Sequence, residues 1–211
     1  MRDDICTIPI SEAFEEQGCP FCTMEQKITK RMTEYIMGPA MMEPDIREMT
    51  NKTGFCRNHF EEMLKMKNRL SLALMIQTYL THGAGNDTSK KATTGDCFVC
   101  DNLEIGMSSM IKNFFTRYAK DDEMKELFVS SGYICRPHFL RLRDDSKKYL
   151  SAKHRKDFEV KSEELYKKSL NAVLDDVNAF AQSFDYRNAG KDKPIPQTAV
   201  EDAIRFIVGG K

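Results

Sequence analysis

The sequence predicts an all-α protein: two tandem homologous helical repeats packed as one pseudo-twofold domain, each repeat with its own Cys3His metal site. Three observations predict it. "GFCRNHF" at 54–60 returns as "GYICRPHF" at 132–139. Each copy follows a CxxC pair, "CPFC" at 19–22 and "CFVC" at 97–100. Apolar residues recur by threes and fours along the chain, and no strand-type alternation of useful length occurs.

The duplication is visible by sliding the chain against itself. A shift of 78 positions carries Cys19 onto Cys97, Cys22 onto Cys100, Gly54 onto Gly132 and Phe55 onto Tyr133. A shift of 79 carries Cys56 onto Cys135, Arg57 onto Arg136, His59 onto His138 and Phe60 onto Phe139, so Ile134 is the one inserted residue. A repeat of this length is one supersecondary unit used twice.

The first repeat occupies residues 1–82. Phe21, Met24, Ile28, Met32, Tyr35 and Ile36 mark an amphipathic helix that opens at the first CxxC. Gly54 suits the C-terminal cap of a short helix, and "CRNHF" starts the next. A further helix is expected over about 68–82. Residues 83–96 are rich in turn formers and read as a linker. The second repeat, 97–186, follows the same order. Val99, Leu103, Met107, Met110, Phe114 and Tyr118 form its first stripe, Gly132 its cap and "CRPHF" its next helix start. A long helix over about 152–186 is carried by Tyr166, Leu170, Val173, Val177, Phe180 and Phe184. The tail, 187–211, breaks at "RNAGKDKPIPQT" and ends in a short helix around 199–208.

Residues three apart on a helical turn share a face, so each CxxC or CxxH presents two ligands together. Two such turns give four ligands. Within-repeat pairing yields the expected sites: Cys19, Cys22, Cys56 and His59, then Cys97, Cys100, Cys135 and His138. Three thiolates and one imidazole are a structural zinc set, which predicts two zinc ions per chain. An iron–sulfur cluster is the alternative, because clusters also accept Cys with His. Helix N-termini favour the net negative charge of such a site, and Arg57 and Arg136 are candidates to offset it. A thioredoxin-type dithiol at "CPFC" needs a βαβ context that is absent and leaves Cys56 and His59 without a role. The helix that follows each CxxC directly also sets these motifs apart from nucleic-acid-binding zinc ribbons.

Composition narrows the function classes. Lys plus Arg and Asp plus Glu both count 32, which gives no global attraction to nucleic acid or anionic lipid. No signal-peptide core or bilayer-length apolar run occurs, so a cytoplasmic location is expected and a membrane role is not. Six of the seven cysteines lie in the motifs, leaving Cys6 alone. In a reducing compartment a metal role fits them better than a disulfide framework. The 13 methionines read as core filler. No phosphate loop, nucleophile elbow or HExxH is present.

The order "CPFC", "TNKTGFCRNHF", "CFVC", "CRPHF" resembles a bacterial family common in anaerobic Gram-positive organisms and known only as a domain of unknown function. The resemblance covers nearly the whole chain and maps the family's paired motifs onto the eight ligands above; it implies no activity. The expected function is therefore a zinc-stabilised helical binding or scaffold module with a protein partner. The alternative is a redox or metal-handling protein using iron–sulfur clusters or exchangeable zinc thiolates. An enzyme with a polar cavity away from both metals is a third possibility.

Overall fold

The helix boundaries follow the residues that start and stop helices. The computed structural model describes residues 10–82, 97–184 and 196–210. Its helices are α1 (Ile10–Glu15), α2 (Pro20–Ile36), α3 (Pro44–Thr53), α4 (Arg57–Lys65), α5 (Arg69–His82), α6 (Phe98–Tyr118), α7 (Asp122–Ser130), α8 (Arg136–Tyr149), α9 (Ala152–Ser183) and α10 (Ala199–Val208), with a 3-10 turn at Pro39–Met42. Among the described residues there is no strand, so the all-α expectation holds. Pro20 and Pro44 stand first in α2 and α3, where a missing N–H costs nothing. Gly54 ends α3 at φ 67° and Gly132 follows α7 at φ 71°, backbone that glycine adopts without penalty. The expected linker 83–96 and Cys6 lie outside the described residues.

The described chain divides into two compact units. One comprises 27–82 and 97–108, the other 10–26, 109–184 and 196–210. Neither is one whole repeat, because α2 and α6, the helices that open the repeats, are each divided between the units.

In the first unit α3 and α4 pack on α5, and Ile28, Met32, Ile36, Met63, Leu72, Met75, Val99 and Met107 are buried. Methionine fills this core as expected. In the second unit α8 and α10 pack on α9, around an aromatic cluster. Phe114 lies 5.4 Å from both Phe21 and Phe128, and 6.0 Å from Phe14, ring centre to ring centre. Tyr118, fully buried, donates its hydroxyl to Asp157 at 3.0 Å, so a polar tip is satisfied at the edge of the cluster.

The apolar stripe expected to carry α9 is buried in part: Tyr166, Val173, Val177 and Phe180 are half-buried, and Tyr166 stacks on Phe139 at 4.3 Å and Phe206 at 5.5 Å. Leu170 and Phe184 are exposed, and the fully buried residues of the helix are Phe158, Ser162, Leu165 and Ser169. The serines permit close approach: Ser169 Oγ accepts the backbone N–H of Ile134 at 3.0 Å. Ile134, the insertion in the second repeat, is buried there.

Candidate metal centres

The first cysteine of every motif occupies the helix N-cap. The carbonyls of Cys19, Cys56, Cys97 and Cys135 each accept the backbone N–H four residues on, at 3.0–3.1 Å, from Thr23, Phe60, Asp101 and Phe139. The second ligand of each motif then sits on the first turn, facing the same way.

All eight expected ligands come together, but not in the expected sets. Cys19 and Cys22 meet Cys135 and His138, and Cys97 and Cys100 meet Cys56 and His59. The within-repeat pairing is corrected: each cluster joins the CxxC of one repeat to the CxxH of the other. The physical reason is that α2 and α6 enter the units with their N-terminal turns beside the opposite motif. In the first unit the junction is explicit, since Phe98 N–H donates to Gly54 O at 3.0 Å, tying the start of α6 to the loop before Cys56. The equivalent of Phe98 is Pro20, which has no N–H to donate.

Within each set the four ligand atoms lie within 4.8 Å of one another. In the Cys19 cluster, His138 Nδ1 is 3.7, 3.4 and 3.1 Å from the sulfurs of Cys19, Cys22 and Cys135. In the Cys97 cluster, His59 Nδ1 is 3.2, 3.3 and 3.5 Å from Cys56, Cys97 and Cys100. The sulfurs of Cys22 and Cys135 are 3.5 Å apart, and those of Cys56 and Cys100 3.9 Å. A tetrahedral ion with Zn–S near 2.3 Å and Zn–N near 2.0–2.1 Å has ligand-to-ligand edges of about 3.5–3.8 Å. One ion therefore fits each set. A cluster of several irons attaches its thiolates to different metal atoms and spreads them wider than one tetrahedral edge. Disulfides, at about 2.05 Å, are excluded for these pairs, and all six cysteines are free.

The crowding of the ligands shifts their proton affinities in opposite directions. Burial pushes the Cys100 thiol up to about 12, helped by Cys97 and Cys56. Hydrogen bonds to Cys19 and Cys22, with burial, push Cys135 far above the ordinary thiol range. Burial also opposes ionisation of Cys19, yet hydrogen bonds from Cys135, Cys22 and His138 hold it well below that range. Burial disfavours a charged His138, but Cys19, Cys22 and Glu25 overcome this and push it up to about 12. Protons are thus shared among crowded donors, and a divalent ion can replace them. With three thiolates the ion would carry a net charge near −1, facing two positive helix ends.

Two contacts were missed by sequence reasoning. Glu25 Oε1 lies 3.3 Å from His138 Nε2, placed as a carboxylate that would orient the imidazole if His138 held a metal. Gly210 N–H donates to Cys22 Sγ at 3.3 Å. Glu25 stands three residues after Cys22, on the same helix face, a signal that was available; Gly210 carries none. Arg57 instead pairs with Glu61 at 2.8 Å on the surface, and Arg136 is exposed. A cavity of about 460 Å³ adjoins the Cys19 cluster, lined by Gln17, Tyr133, Asp202, Arg205 and Gly210 with its three cysteines. It lies against a metal set. Among the described residues no helix is long and apolar enough to cross a membrane.

No curated protein and no solved structure matches the chain. A family described as a family of unknown function, DUF6062, matches it twice, over residues 1–94 and 83–211. Together the two matches span the sequence from end to end, and the chain belongs to this family.

Proposed function

We propose that this chain is a zinc-stabilised helical module in which two Cys3His ions fasten the CxxC of each repeat to the CxxH of the other, and that it acts by presenting a surface to a protein partner in the cytoplasm. The observation that carries the proposal is the closed ligand set: four protein ligands, mutually within 4.8 Å, at each site. Hydrolytic zinc keeps a position open for water, whereas structural zinc is saturated by protein. The single-ion spacing favours zinc over a cluster. Six free cysteines arranged as thiolate donors suit a reducing compartment.

Elemental analysis of protein purified under reducing, chelator-free conditions tests it. Two equivalents of zinc and a colourless solution are expected. A brown protein absorbing near 400 nm would place iron–sulfur chemistry ahead of it, and a metal content near zero would overturn the site assignment.

A further inference from the structure

The two clusters differ in access and in support. The Cys19 cluster is the more buried, although a cavity reaches its three cysteines: Cys19, Cys22, Cys135 and His138 are 3%, 2%, 1% and 3% exposed. Glu25 holds the far nitrogen of His138, and Gly209 and Gly210 close over Cys22, with the Gly210 N–H bonded to its sulfur. In the Cys97 cluster, Cys56 and Cys100 are partly exposed. Repeat alignment places Leu103 where the other repeat has Glu25, so the corresponding position offers no carboxylate. Among the described residues no backbone N–H is bonded to a sulfur of this cluster.

We propose that the Cys56, His59, Cys97 and Cys100 site is a metal-exchange site, which passes a soft divalent ion such as zinc to and from an external thiolate or chelating ligand, while the Cys19 cluster is locked. This deepens the zinc reading and rests on each cluster holding one ion. Exchange proceeds by ligand substitution. The incoming thiol loses its proton and its thiolate bonds to the ion; Cys56 or Cys100 leaves the ion and takes up a proton. No electrons are transferred. The exposed thiolates supply the point of attack, and Leu103 cannot orient the imidazole as Glu25 does in the other cluster. Loss of such a carboxylate typically weakens metal binding about 10–100-fold.

The test uses the full chain loaded with two equivalents of zinc, a stoichiometry measured first, so that failure of the zinc reading shows there and not in the kinetics. Zinc release to a colorimetric chelator should be biphasic, one equivalent leaving about 10–100-fold faster than the other. Mass-spectrometric mapping of N-ethylmaleimide labelling during the fast phase should find Cys56 and Cys100 modified before Cys19, Cys22 or Cys135. Gly210→Pro removes the N–H that caps Cys22 and cannot follow a backbone at φ 97°; it should accelerate the slow phase alone. Two equivalents leaving at matched rates, or first labelling at the Cys19 cluster, would overturn the proposal. Should Gly210→Pro fail to fold, the wild-type labelling order still decides the question.

Discussion

The two clusters share ligand types, spacing and helix-end placement, yet one has all four ligands buried and the other has two of its four partly exposed. In the buried cluster every ligand is at most 3% exposed and Glu25 backs the histidine. In the other, two of three cysteines are partly exposed and Leu103 takes the equivalent place of Glu25. Duplication preserved the ligands and changed their surroundings. Ligand identity sets which ion is bound; burial and the next layer of contacts set how firmly it is held.

Removing both ions is the largest perturbation of this comparison. Structural zinc contributes an apparent ~10–16 kcal/mol in small peptides, against ~5–15 kcal/mol of total stability for a typical domain. Stripping the protein with a strong chelator should therefore lower the thermal midpoint by on the order of 10 °C or more, read by circular dichroism with metal release confirmed. An unchanged midpoint would contradict a structural role for both sites.

Single ligands separate the sites. Cys135→Ser and Cys56→Ser should each remove one equivalent of metal by elemental analysis. Cys135→Ser should lower the midpoint further, because it leaves buried donors uncompensated while Cys56→Ser leaves partly hydrated ones. Equal losses of stability would mean that the two clusters contribute alike. Glu25→Gln acts more gently: zinc affinity at the buried site should fall about 10–100-fold with the other site unmoved, measured by competition with a chromophoric chelator.

The glycines give the smallest effect. Gly54→Ala and Gly132→Ala both place a side chain at positive φ, at about 1–3 kcal/mol each. At Gly132 the added methyl group has room, but at Gly54 it would come 2.9 Å from the Tyr79 ring. Urea denaturation should show Gly54→Ala to be the more destabilising by a few tenths of a kcal/mol, the ring tip being able to shift.

Much of this was legible in the sequence, for local reasons. Spacing within a helix is a local property, so the boundaries near 69, 152 and 199 and the caps at Gly54 and Gly132 were readable from turn formers and period. The eight ligands were readable for the same reason, since three-residue spacing places two donors on one turn. Which turn meets which is decided by tertiary packing, and there within-repeat pairing failed. The α9 stripe was right only in part. Tyr166 packs on Phe139 and Phe206 as the stripe implies, yet Leu170 and Phe184 stay exposed and the helix also packs through Ser169, whose hydroxyl accepts the Ile134 N–H. Gly210 carries no signal, because its contact with Cys22 spans nearly the whole chain.

The exchanged pairing is the central claim, and paired substitutions test it most directly. Cys22→Ser combined with Cys135→Ser damages one cluster twice, so the double variant should retain one equivalent of zinc. Cys22→Ser combined with Cys56→Ser damages both clusters and should retain none. Within-repeat sites would give the reverse, no zinc in the first variant and one equivalent in the second, and that result would contradict the account.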